Sequence, residues 1–255
     1  MKKSYLLVLL SVPFLFSAQI IGFTPTVKVT YDASLQLGES FRRDQQFILV
    51  GNSREYYFSG YHNYMDDTGR SEKTAKSGIT LSIADYLEER IIRKDGITYV
   101  YGHYTDDRLR YEENVYCQWV LYGETKIING IPCQMAATNK FGRRWIAYFS
   151  KEYPQSLGPY KFTGLPGLIM ELYDTRNDYH FTAVKIEKDS DGYQVNLKGY
   201  KKLSKKDFLK ATYNIRFTLA AFPPIDDAEF RKQTQEIMDK KKKMYNNPLE
   251  LKPFE

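Results

Sequence analysis

"LGPYKFTGLPGLIMELYD", Leu157 to Asp174, changes character halfway along. Gly158, Pro159, Gly164, Pro166 and Gly167 break up its first part. Leu168, Met170 and Leu172 then alternate with Ile169, Glu171 and Tyr173, the period of two that gives a strand two unlike faces. Within Gly164-Leu165-Pro166-Gly167-Leu168-Ile169, Pro166 has its torsion preset for the second position of a β-turn. Gly167 can take the positive φ that a type II turn needs at the third. Gly164 adds backbone freedom or a close approach. The stretch predicts a type II turn feeding a strand over 168–174. None of the six side chains can act as acid, base, nucleophile or strong metal ligand, so the expected role is scaffold rather than chemistry.

The same alternation appears upstream in "RRWIAYFS", where Trp145, Ala147 and Phe149 alternate with Arg144, Ile146 and Tyr148. Turn chemistry separates the runs at Asn129-Gly130, Asn139 to Gly142, Asp174 to Asp178 and Asp189 to Gly192. Strands are predicted near 108–121, 124–128, 131–139, 143–150, 168–174, 179–187 and 192–200, with others at Val27–Tyr31, Gln46–Val50 and Tyr56–Ser59. Their short connections suit antiparallel neighbours. "SIADYLEERIIRK", Ser82 to Lys94, predicts a helix capped by Ser82, with the β-branched pair Ile91-Ile92 leaving a strand open at its end.

Two helices follow the strands. Ser204 and Asp207 form a capping pattern ahead of Phe208, Leu209, Thr212, Ile215 and Leu219 on one helical side, and Pro223-Pro224 ends it. Asp226 and Asp227 favour a second start, with Phe230, Ile237, Met238 and Tyr245 as its apolar stripe and Pro248 as its stop. Strands followed by helices predict an α+β fold: a large curved antiparallel sheet whose concave face the C-terminal helices cover.

The chain has 255 residues and opens "MKKSYLLVLLSVPFLFSAQ": two lysines, an apolar run and small residues before Gln19. This predicts a secretory leader over 1–18, cut after Ala18, and one domain over 19–255. The run is too short for a permanent anchor, and no cysteine follows it to be acylated. The expected product is periplasmic or extracellular, with no transmembrane segment. Loss of Lys2 and Lys3 with the leader leaves 35 basic against 31 acidic side chains, a net charge of +4. That mild excess lacks the concentrated basic face nucleic-acid binding requires. Cys117 and Cys133, in an oxidising compartment, predict a disulfide contributing about 3 kcal/mol for a loop of about 15 residues. An Asn129-Gly130 hairpin, however, sets Lys126 rather than Cys117 opposite Cys133.

The string "GPYKFTGLPGLIMELYD", preceded by "WIAYFSKEYP", resembles the motif that names the GLPGLI family of secreted proteins of Gram-negative bacteria. Gly130 to Cys133, ahead of "GRRWIAYFS", fits the same pattern, and the resemblance covers roughly Tyr122 to Lys188. It implies an envelope protein of a kind often associated with TonB-dependent outer-membrane receptors. It implies no particular reaction, and the half-barrel of periplasmic lipoprotein carriers is its nearest fold analogy.

His62, His103 and His180 are dispersed, without the spacing of a helical metal pair, and "DSDG" at Asp189 reads as a turn rather than a calcium loop. No nucleophile elbow, zinc helix or phosphate loop occurs, so neither a cofactor nor a metal is expected. Tyr56, Tyr57, Tyr61 and Tyr64 in "EYYFSGYHNYM" are a candidate contact patch, since tyrosine joins an apolar body to a polar edge. Two functions follow. The first is a non-catalytic envelope protein binding an apolar or peptide ligand, or a protein partner such as a TonB-dependent receptor. The second is an extracytoplasmic hydrolase with two distant carboxylates.

Overall fold

A computed structural model describes residues 20–70, 85–104 and 106–255. The leader, its cut at Ala18 and the Ser82 cap lie outside the described residues. The strands are β1 (Ile20–Phe23), β2 (Val27–Gly38), β3 (Phe41–Gly51), β4 (Tyr56–Gly60), β5 (Arg90–Lys94), β6 (Ile97–Tyr104), β7 (Asp107–Glu113), β8 (Val120–Ile128), β9 (Ile131–Lys140), β10 (Arg143–Ser150), β11 (Leu168–Asp174), β12 (Tyr179–Lys188), β13 (Tyr193–Asn196) and β14 (Lys201–Lys202). The helices are α1 (Tyr61–Asp67), α2 (Lys205–Phe217) and α3 (Ala228–Met244).

Twelve strands form one sheet in the order β14-β7-β6-β5-β4-β3-β2-β12-β11-β10-β9-β8, while β1 and β13 pair separately. The architecture is α+β, built on a large open sheet. The sheet is mixed rather than wholly antiparallel, because β14 runs parallel to β7. Strand β12 lies against β2, with Phe181 opposite Ala33, so segments far apart in the chain meet in mid-sheet.

Tight turns set much of the register. Asp95-Gly96 and Asn129-Gly130 both take paired positive φ values, 51° and 82°, and 51° and 78°, as two-residue hairpin turns require. Asn129-Gly130 aligns Lys126 with Cys133. Of the segment read as a helix over 82–94 with a strand left open at its end, residues 90–94 are strand β5, pairing with β4 and β6. Ile91 and Ile92 both pack in the interior there, and branching at Cβ suits that pleated setting.

One face of the sheet encloses the main core. Phe47, Phe58 and Phe181 meet at ring separations of 5.1 to 6.4 Å. The occupant of the sheet's interior is the quoted loop itself. Leu157, Tyr160, Lys161, Phe162 and Leu165 are all buried, and Phe162 packs on Trp145 at 4.7 Å and on Phe141 at 5.8 Å. On the other face, β1, β13 and α1 cover Ile48, Val50, Tyr57, Ile92 and Tyr101.

The turn at 164–167 is tighter than a type II turn. Gly167 N–H donates to the Leu165 carbonyl at 2.8 Å, a three-residue turn, and Gly167 has φ 158° rather than the value near +80° that a type II turn demands. A Cβ on Gly167 would collide with the Ser150 carbonyl oxygen and lie 2.7 Å from its carbon. Glycine is required here because two backbones touch. Leu165 is a buried anchor. Leu165→Ala should therefore lower stability by about 2–5 kcal/mol, the usual range for emptying such a site, read from denaturant unfolding.

The C-terminal helices begin as the caps require. Ser204 accepts from Asp207 N–H, Asp227 accepts from Phe230 N–H, and Phe208 of α2 packs on Tyr111 at 4.8 Å. The stripe read on α3 is only partly used: Met238 and Tyr245 are half-buried, whereas Phe230 and Ile237 are exposed. Beyond α3 the chain returns across the core. Buried Arg143 donates to the carbonyls of Leu249 (3.0 Å) and Pro248 (2.8 Å) and to Asn247 Oδ1 (2.7 Å), and it pairs with Asp174 and Asp178. Fully buried Lys161 pairs with Glu113 at 2.6 Å and Glu250 at 2.5 Å. Burial alone would raise the Glu250 carboxyl, but Lys161 and Lys205 outweigh it and hold the carboxyl below its ordinary range.

Candidate ligand-binding groove

Three turns and the quoted loop converge on a groove of about 880 Å³. Asn52 to Tyr56 come from the β3–β4 connection, Arg93, Asp95 and Gly96 from β5 and the turn after it, Val115 to Cys117 from the segment after β7, and Ser156, Leu157, Thr163 and Gly164 from the loop. Asn52 Oδ1 accepts the N–H groups of Arg54 and Glu55, which shapes the first turn.

A net of hydrogen bonds fixes the groove's base. Arg93 donates to Thr163 Oγ1 at 2.8 Å, Trp119 Nε1 to the Thr163 carbonyl at 2.9 Å, and Gly164 N–H to Ser156 Oγ at 2.9 Å. The motif loop is thus held by backbone groups as well as by its buried side chains. Arg54 is exposed on one wall, and Tyr116, 74% exposed, stands on another.

Several ionisable groups of the groove are buried or held by neighbours. Glu55 accepts from Lys94 at 2.5 Å, and that hydrogen bond holds its carboxyl below the ordinary range. Burial raises the Cys117 thiol, opposing formation of the nucleophilic thiolate. Tyr56 gives its hydroxyl hydrogen to the Tyr160 carbonyl at 3.1 Å, and burial pushes its pKa far up. Among the described residues, no histidine lines the groove.

Cys117 and Cys133 are free thiols, correcting the expected disulfide. Val120 lies opposite Ala137, so Cys117, three residues earlier, stands near the level of Lys140. That is seven residues along β9 from Cys133, or about 20 Å at the strand rise, far beyond the reach of a disulfide. Burial pushes the Cys133 thiol up to about 11.

The tyrosine patch is also dispersed. Tyr56 faces the main core, Tyr57 and Tyr64 pack in the smaller cluster on the other face, and only Tyr61 is exposed. Successive side chains of a strand point to opposite faces, so Tyr56 and Tyr57 of β4 enter the two separate clusters. Of the residues singled out in the sequence, Tyr56, Cys117 and Gly164 line the groove, whereas Arg54, Arg93, Tyr116 and Thr163 were missed. Their one local signal is the run of turn residues at Asn52-Ser53.

Other polar clusters serve different ends. Asp67 accepts from Tyr57 at 2.8 Å, Tyr101 at 3.2 Å and Arg90 at 3.1 Å, and burial outweighs these donors to raise its carboxyl. Burial likewise raises Glu88, which faces Arg216 at 3.6 Å. His180 meets Glu171 at 3.0 Å, His62 meets Asp85 at 3.1 Å, and His103 is exposed. Among the described residues, no three of His, Cys, Asp or Glu are placed to hold a metal ion, and no helix is long and apolar enough to cross a membrane.

No protein-family model and no curated protein matches the sequence. Solved structures match in fold. The fold is similar to PNGF-II in two crystal forms, at TM-scores of 0.56 and 0.53 and identities of 14% and 13%. Each match covers 76% of this chain and 34% of the other, so the chain spans about a third of the length of the structures it resembles. At this identity the likeness is one of fold alone.

Proposed function

We propose that this chain is a non-catalytic envelope protein of the GLPGLI type, exported by its leader, whose groove receives a peptide segment of a protein partner. The observation that carries the reading is the composition of the groove. It offers a guanidinium at Arg54, an exposed ring at Tyr116 and the backbone of two glycine turns, while its thiol is buried and its Glu55 carboxylate is occupied by Lys94. Such a surface suits an extended segment with an acidic side chain for Arg54 and an apolar one against Tyr116. A TonB-dependent outer-membrane receptor is the partner proposed, on the motif resemblance. The half-barrel of lipoprotein carriers remains an analogy of outline: here the interior holds the chain's own loop, and binding is assigned to the rim.

Co-purification from envelope extract tests this, comparing the wild type with Arg54→Glu/Tyr116→Ala. Both side chains are exposed, so the double variant should melt like the wild type yet recover its partner about tenfold less, a loss of about 1.4 kcal/mol. Recovery of the same proteins in the same yield from both would refute the assignment of the groove.

A further inference from the structure

The two ends of the twelve-strand sheet are finished differently. At one end β14, only Lys201 and Lys202, runs beside β7, a short and charged border of the kind that discourages further pairing. At the other end lies β8, nine residues long and paired only with β9 among the described residues. Three of its apolar side chains face solvent, Val120 at 58% exposed, Leu121 at 50% and Ile127 at 75%, while Ile128 at its end is buried. A bulge between Leu121 and Thr125 interrupts its pairing with β9, but the stretch from Thr125 to Ile128 is regular. An unpaired backbone edge with exposed apolar side chains is a template for strand addition.

The charges on β8 select the occupant. We propose that β8 pairs antiparallel with β8 of a second copy of this chain, centred on Thr125, to join the two sheets edge to edge. A two-fold axis through the Thr125 pair sets Glu124 of each copy opposite Lys126 of the other, giving two opposite-charge pairs. It also sets Gly123 opposite Ile127, so the larger side chain meets a position with no side chain. Shifting the centre by one residue to Glu124 or to Lys126 would oppose like charges directly, which is unfavourable. Glu124 and Lys126 are already oriented on one face, Glu124 by Tyr148 Oη at 2.6 Å and Lys126 by Glu171. The strand therefore meets its copy with its charges in place.

The purified full chain tests this without any partner, independently of the groove. Sedimentation at rising concentration should show a monomer–dimer equilibrium. Ile127→Lys, at a side chain that packs on little within its own chain, should melt like the wild type and weaken the dimer about tenfold or more, since a lysine on a sheet edge opposes further strand pairing. Thr125→Cys should yield a disulfide-linked dimer under mild oxidation, whereas Ile127→Cys should not, because only residue 125 faces its own copy. The native thiols, 6% and 2% exposed, leave this readout clear. A wild-type chain that stays monomeric, a dimer indifferent to Ile127→Lys, or equal crosslinking at 125 and 127 would each overturn the proposal. A monomer that instead binds an added extended peptide along β8 would overturn the choice of occupant.

Discussion

Gly167→Val should unfold this protein more readily than any change to the groove. The new side chain would meet the Ser150 carbonyl group directly, at the point where β10 and β11 come together. Relief requires Leu168 to move, yet Leu168 N–H is tied to the Tyr153 carbonyl at 2.9 Å and Ile169 N–H to the Leu157 carbonyl at 2.8 Å. Overpacking and backbone strain together should cost about 3 kcal/mol or more. For a chain of this size that corresponds to a fall in melting temperature of roughly 10 °C. Even Gly167→Ala should show most of the effect, because the first carbon of the side chain makes the collision. If either variant melts like the wild type, the close backbone approach is not a constraint and the scaffold reading of the motif fails.

The second large effect is expected at Arg143. Its guanidinium is almost fully buried and satisfies two carboxylates and three acceptors of the returning C-terminal segment. Arg143→Ala leaves Asp174 buried without its cation and strips the Pro248 and Leu249 carbonyls of their donor. Breaking one side of a buried pair costs about 3–5 kcal/mol. Arg143→Lys should recover little of this, since an ammonium cannot reproduce the planar fork that serves acceptors on several sides. Hydrogen exchange gives a local check: the Asn247 amide, bonded to the Leu37 carbonyl at 2.9 Å, and the Lys252 amide, bonded to the Phe141 carbonyl at 3.0 Å, should lose protection in both variants. Unchanged protection of these amides would show that Arg143 does not hold the segment.

Local chemistry was readable from the sequence wherever one segment decides its own conformation. The alternation in "RRWIAYFS" and "LIMELY" locates β10 and β11 to the residue, and the oxygens of Ser204 and Asp227 cap the helices that follow them. Sequence pattern fails where the deciding partner is distant. At Ile91-Ile92 the sequence left helix and strand both open, and the strand prevails because β4 and β6 lie on either side. The exposed Phe230 and Ile237 match a helical period without a surface to cover. Lys161 shows the same limit most clearly. A lysine in a glycine- and proline-rich loop reads as solvated, and only Glu113 and Glu250, brought from far along the chain, make its burial tolerable. The groove was illegible for a related reason, since its walls come from four separate connections.

The pairing of β2 with β12 also sets a schedule. Val29 finds Ile186 only after most of the chain has been made, so a chain gathering from its N-terminus must hold β2 against β3 with its other edge bare. Contacts this far apart in sequence slow folding, and an open edge invites the wrong neighbour in the meantime. The final residues come later still: Asn247 closes on Gln36 and Leu37, and Glu250 on Lys161. A chain shortened by residues 247–255 would thus keep the residues of every strand yet lack the clasp that closes the assembled sheet.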